Sequence, residues 1–201
     1  MRPEIGRGGG QSMTINRYAE RLESADCVLF LIDIQKSMLD LCPDRQRVVK
    51  NSAALITIAD QFGIPILLSQ HNAAKLGGFL PELVERAAAP TVLDKLEFSC
   101  FENPAMADAV AKTGRETLLL AGIETHVCIF HTAAHALRLG FKVQVAADAV
   151  ASRSELNWRV GLDRLDRAGG VISSTEMIIF ELLQRAGSDQ FRAALPLLKT
   201  L

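Results

Sequence analysis

Three polar residues stand where apolar, strand-length runs of this sequence come to an end. Asp33 follows residues 27–32, Lys95 follows residues 91–94, and Cys128 lies a few positions past residues 116–121, where helical periodicity begins. A thiol in the first turn of a helix faces free backbone N–H groups and the positive end of the helix dipole, and both favour thiolate, the nucleophilic form. An ordinary cysteine has a pKa of about 8.5, which such a position or a nearby lysine lowers. Cys27, Cys42 and Cys100 have no such context and read as small buried hydrophobes. Each member of the trio also has a purely structural reading: Asp33 as a turn cap, Lys95 as a solvated loop residue, Cys128 as helix core.

The elements that must position these residues alternate along the chain. Apolar runs over residues 27–32, 65–69, 91–94, 116–121, 141–147 and 170–173 read as six strands. Between them the apolar residues recur at three- and four-residue spacing. A helix over residues 43–62 carries Val48, Leu55, Ile56 and Ala59, and Gly63 can close it. A short helix starts near Pro81, after a loop over residues 70–79. Asn103 caps a helix that Gly114 closes, and Thr125 caps one running to about Leu139. Ser152 with Glu155, and Ser173 with Glu176, have capping-box spacing before two further helices. Parallel strands joined by right-handed helical crossovers give a three-layer α/β domain, and its ligands gather outside the carboxyl ends of the strands.

Composition removes several classes of function. With 201 residues, one domain is the default. The 22 basic and 23 acidic side chains nearly balance without a basic stripe, which excludes a nucleic-acid partner. Apolar runs stop well short of the roughly 18 residues that would span a bilayer. Residues 1–11 are rich in Gly and Arg and lack the apolar stretch of a secretory signal; residues 1–14 read as a disordered extension, with Met13 as an alternative start. Four separated cysteines without a CxxC pair fit reduced thiols in the cytoplasm.

Three segments then carry a resemblance. Leu31-Ile32-Asp33-Ile34-Gln35, Lys95-Leu96-Glu97-Phe98-Ser99-Cys100-Phe101 and Ala121-Gly122-Ile123-Glu124-Thr125-His126-Val127-Cys128 resemble the three signatures of the isochorismatase-like cysteine hydrolases, in the family's order. The likeness continues through Asp148-Ala149-Val150-Ala151-Ser152-Arg153 and Ser173-Ser174-Thr175-Glu176. Leu76-Gly77-Gly78-Phe79-Leu80-Pro81-Glu82-Leu83 is similar to the isochorismatase domain-containing subgroup, which has no settled substrate. The resemblance implies a Rossmann-like three-layer αβα sandwich on a six-stranded, mainly parallel sheet. It also implies Cys128 as nucleophile, Asp33 as general base and Lys95 as the cation between them. A cis Ile123–Glu124 peptide would aim the N–H groups of Glu124 and Cys128 at an oxyanion. The activity implied is cofactor-free cleavage of a small amide or related C–N bond through a covalent Cys128 intermediate, in a homo-oligomer. A non-catalytic binding or scaffold protein and a thiol redox sensor are the alternatives.

Departures narrow this expectation. Nicotinamidases of the family carry a metal-binding Asp-x-His after the second strand, whereas this chain has Ser69-Gln70-His71-Asn72-Ala73, so no metal is expected and His71 is assigned to the substrate pocket. Isochorismatases proper lack the nucleophilic cysteine, and Cys128 directs the reading to the amide-cleaving branch. His131 and His135 share a helix face with Cys128, but the resemblance gives the base role to Asp33. Trp158 reads as a core or interface residue. Phe98 and Phe101 flank Lys95 and are expected to line the pocket, and the apolar segment over residues 191–198 is offered as a subunit contact.

Overall fold

The structure is a computed structural model in which residues 19–201 are described. The expected extension over residues 1–14 and the start at Met13 lie outside the described residues. Six strands form one sheet: β1 (Cys27–Ile32), β2 (Ile66–His71), β3 (Thr91–Lys95), β4 (Thr117–Ile123), β5 (Lys142–Ala151) and β6 (Val171–Ser173). Their order is β3-β2-β1-β4-β5-β6 and every pairing is parallel. Strand order reverses direction between β1 and β4, so the carboxyl ends of these two central strands bound the crevice where doubly wound sheets take their ligands.

Burial explains the apolar runs. Every residue of β1 and of β4 is buried, as expected for central strands covered on both faces. Alternate residues of β1 serve different layers. Cys27, Leu29 and Leu31 pack with Leu55, Ile56 and Ala59 of α2 (Arg45–Gln61), Ile178 and Ile179 of α8 (Thr175–Leu183), and Ala194 of α9 (Asp189–Leu198). Val28, Phe30 and Ile32 pack with Met106 and Val110 of α5 (Pro104–Thr113), Ala133 and Ala136 of α6 (Phe130–Arg138), and Leu162 and Leu165 of α7 (Glu155–Ala168). Short helices α1 (Lys36–Leu39), α3 (Ala73–Leu76) and α4 (Pro81–Val84) lie in the connections. No helix of the described residues is long and apolar enough to cross a membrane.

Several local expectations are corrected. β5 runs on to Ala151, past the expected end at residue 147, across a register shift against β4 between Leu120 and Gly122. The longer strand moves the following helix start, and Ser154, not Ser152, accepts the cap hydrogen bond from Asn157 N. Ser174 likewise caps α8 through Met177 N, because Ser173 is still paired in β6. In α9, which holds the segment offered as a subunit contact, Ala194 is buried and Phe191, Leu197 and Leu198 pack partly buried against the chain's own core. The helix expected from Thr125 instead opens with a π-helical turn, Thr125–Ile129, before α6.

Candidate active site

β1 ends in a sharp change of direction. Asp33 takes a left-handed conformation, φ 55°, which Asp tolerates better than most residues, while its N–H still bonds to Ser69 O at 2.9 Å. The backbone thereby leaves the sheet, and the carboxylate remains fully buried at the strand end. Its two oxygens have separate partners: Oδ1 accepts from Ser69 Oγ at 2.8 Å and Oδ2 from Lys95 Nζ at 2.6 Å.

Lys95 is the last residue of β3, only 2 % exposed. Parallel pairing sets it opposite His71 at the end of β2. The ammonium has three hydrogens to donate and three acceptors in reach: Asp33 Oδ2, His71 Nδ1 at 3.4 Å and Cys128 Sγ at 3.5 Å. Burial pulls the Lys95 pKa down, but the Asp33 carboxylate and the neighbouring thiols more than offset it, and the net displacement is upward. The lysine is therefore held charged.

Cys128 sits in the π-helical turn with 3 % exposure. The expectation of a thiolate-favouring position is corrected here. Burial pushes the Cys128 thiol far above the ordinary range, and Asp33 adds to this both by its charge and by a hydrogen bond, against the opposing pull of Lys95. The fold thus disfavours thiolate at rest, while Cys128 Sγ lies 3.5 Å from Lys95 Nζ. Cys27, Cys42 and Cys100 are buried free thiols as expected, raised to about 12, 11 and 11 chiefly by burial.

Among the described residues, Asp33, His71 and Cys128 bring potential metal-ligand atoms within 4.8 Å of one another. Lys95 Nζ bonds to all three, so the place between them is already held by a positive charge, and the donor set is an ammonium site.

Two residues that sequence reasoning did not single out complete the arrangement. Ser69 orients Asp33. Gln35 is fully buried; its Nε2 donates to the carbonyls of His71 at 3.0 Å and Gly77 at 2.6 Å, while its Oε1 accepts from His71 N at 2.6 Å. The Asp33-Ile34-Gln35 segment held the signal for Gln35, since a polar side chain two residues past a buried strand end must find partners.

At the end of β4, the Ile123–Glu124 peptide is cis. Gly122 just before it has φ +121°, and a Cβ there would lie 2.0 Å from Ile32 O, so only glycine lets β4 close on β1. The Glu124 carboxylate accepts from Arg153 N at 2.9 Å and Nε at 3.1 Å, tying this turn to the segment after β5.

The rings separate into two groups. Phe98 is 55 % exposed, stacks on His71 with centroids 5.9 Å apart, and meets His131 at 6.4 Å, so it stands beside the trio. Phe101 does not join it but packs against His135 and Phe141 on the α5–α6 side of the core. His135 bonds to Ser99 and His126 to Ser152, and Trp158 donates to Ala147 O. Two cavities lie away from the trio. One of about 640 Å³, lined by Arg47, Ala147 and Trp158 among others, opens past β5; one of about 310 Å³, bordered by Glu23, Thr117 and Lys142, lies at the amino ends of the strands.

Comparison with known proteins agrees with this architecture. Residues 27–177 match the family described as Isochorismatase domain. The chain is 34% identical over 180 residues to isochorismatase domain-containing protein 2B of Mus musculus, covering 89% of this chain and 84% of the relative. Among solved structures, the MAR1 ribonuclease of Caenorhabditis elegans superposes with TM-score 0.84 at 27% identity, over 90% of this chain and 93% of that one. The YcaC protein of Escherichia coli, described as an octameric hydrolase of unknown specificity, gives 0.80 at 27% identity, over 90% and 88%. YcaC of Pseudomonas aeruginosa, solved with hexane-2,5-diol and covalent acrylamide, gives 0.81 at 26% identity, over 90% and 97%. Sheet order, strand-end residues and sequence similarity thus lead to one assignment: the chain belongs to the isochorismatase family, in its isochorismatase domain-containing protein branch.

Proposed function

We propose that this protein is a cysteine hydrolase that needs no cofactor and cleaves a small amide or related C–N bond at Cys128. The observation that carries the reading is the meeting of the Cys128 thiol and the Asp33 carboxylate on one buried ammonium, Lys95. Asp33 takes the thiol proton as Cys128 Sγ attacks the carbonyl carbon, so thiolate forms only as it is used. The carbonyl oxygen becomes an oxyanion, received by the N–H groups of Glu124 and Cys128; one such donor is typically worth about 3 to 4 kcal/mol of barrier. Protonated Asp33 returns its proton to the nitrogen, the C–N bond breaks, and a thioester remains. Asp33 then takes a proton from water, hydroxide attacks the thioester carbon, and the acid leaves while the proton returns to Cys128.

Low exposure of Lys95 and Cys128 favours a small substrate, with His71 and Phe98 at its entrance. The covalent acrylamide of the Pseudomonas aeruginosa relative supports covalent chemistry in this fold. The octameric Escherichia coli relative supports a homo-oligomer, which light scattering tests. The Caenorhabditis elegans relative is named a ribonuclease, but the charge balance of this chain provides nothing for a phosphate backbone. Free, buried thiols fit a cytoplasmic setting.

The test is iodoacetamide labelling of each cysteine, followed by mass spectrometry, in the native protein and in Lys95→Ala and Asp33→Asn. Preferential labelling of Cys128 that both variants alter supports the nucleophile. Equal inertness of all four thiols in the folded protein sinks it and favours a scaffold. Oxidation of Cys128 by peroxide that outruns alkylation favours a redox sensor.

A further inference from the structure

β1 and β2 pair in register from Leu29–Ile66 to Ile32–Ser69. Continued pairing would give His71 the backbone of residue 34, but Asp33 turns the chain away first. Gln35 supplies what the strand no longer does: its carboxamide satisfies both the N–H and the C=O of His71 and also takes the carbonyl of Gly77. On the other side, Asn72 N bonds to Lys95 O at 2.8 Å. The His71 backbone is therefore fixed from both neighbours, and its ring sits under Phe98 with Nδ1 toward the ammonium. An ammonium donates and never accepts, so in this contact Nδ1 is the acceptor.

We infer that His71 is a positioning residue for the hydrolytic reaction: as third acceptor of Lys95 Nζ, locked in place by Gln35, it divides that ammonium between Asp33 and Cys128. The inference rests on the nucleophile reading above. With two acceptors in place of three, a buried ammonium leaves one N–H unsatisfied and swings to whichever partner binds it more strongly. That partner is Asp33, at 2.6 Å, and the thiol loses its cation. The charged and titratable groups facing Lys95 and Cys128 are Asp33 from the end of β1, His71 from β2 and Cys100 from the segment after β3; of these, Asp33 and His71 lie within hydrogen-bond reach of Nζ, at 2.6 and 3.4 Å.

The experiment compares His71→Asn with His71→Leu in the full-length protein. Asn offers its side-chain oxygen where Nδ1 stood, and Leu fills the space without an acceptor. The readout is the rate of iodoacetamide labelling at Cys128 at one neutral pH, with melting temperature measured alongside. Labelling about tenfold slower in His71→Leu, and restored to near the native rate in His71→Asn, is expected. A merely structural His71 gives the same rate in both variants, or a rate that follows melting temperature, and either result overturns the inference. So does faster labelling in His71→Leu, which makes the ring a steric cover. Gln35→Met, which removes the clamp and leaves His71 itself, is expected to slow labelling in the same direction. Native protein whose Cys128 does not label at all overturns the nucleophile reading and this inference together; native labelling indifferent to His71 overturns this one alone.

Discussion

Ser69 donates a 2.8 Å hydrogen bond to Asp33 Oδ1 in a place where neither residue is exposed to water. With Oδ2 held by Lys95, the carboxylate has no free rotation, and its orientation toward Cys128 is set by the end of β2. Ser69→Ala is expected to cost about 1.5 to 3 kcal/mol, the usual worth of a hydrogen bond to a charged group. Urea denaturation measures this, and slower Cys128 labelling in the still folded variant checks the orienting role.

Asp33 and Lys95 form an ion pair whose side chains are both at 0% exposure. Removing one partner strands the other charge, so Asp33→Asn is expected to lose about 3 to 5 kcal/mol. Asp33→Asn combined with Lys95→Met removes both charges and is expected to regain most of that stability while Cys128 labelling stays low. A double-mutant cycle on unfolding free energy reads the coupling. Additive losses would mean that the pair does not act as a unit.

Gly122→Ala places a methyl group 2.0 Å from the Ile32 carbonyl oxygen, backbone against backbone in the middle of the sheet. Neither strand can yield without breaking its ladder. The variant is expected to be insoluble on expression or to unfold more than 4 kcal/mol more easily, at the upper end of single substitutions. A soluble variant with native melting temperature would contradict the close approach of β1 and β4.

Alkaline pH tests the buried thiols. Cys27, Cys42 and Cys100 are raised in the fold to about 12, 11 and 11, and Lys95 is raised as well. A raised pKa stabilises the fold fully below the unfolded value and is lost as pH climbs toward the folded one, because the unfolded chain sheds protons first. Melting temperature is expected to show no thiol contribution to its slope up to about pH 9 and to fall between about 9 and 12. Cys100→Ala, which removes a shift on the order of 3 kcal/mol, flattens that fall.

Much of this was legible in the sequence because the signals were local. Apolar runs ended at Asp33 and near Lys95, and Asn103 with Pro104 marked a real cap, where Asn103 accepts from Met106 N. Errors arose where two local signals competed. Ser152 and Ser154 both precede α7, and only the tertiary extent of β5 decides which of them caps it. The raised thiol at Cys128 was illegible for a different reason: dipole and capping arguments apply to a helix start in water, whereas desolvation in the finished core outweighs them. Phe98 and Phe101 are indistinguishable by spacing from Lys95, and the packing of Phe101 on Phe141 separates them. Gln35 and Ser69 act on residues about 36 positions away, a relation that no window along the chain contains.

The strand order β3-β2-β1-β4 also has a consequence for biosynthesis. Asp33, His71, Lys95 and Cys128 come from four separate strand ends, and non-local parallel pairing is slow to form. A nascent chain therefore passes most of its synthesis without this cluster: until β4 pairs with β1, Cys128 has neither the Asp33 carboxylate nor the Lys95 ammonium beside it.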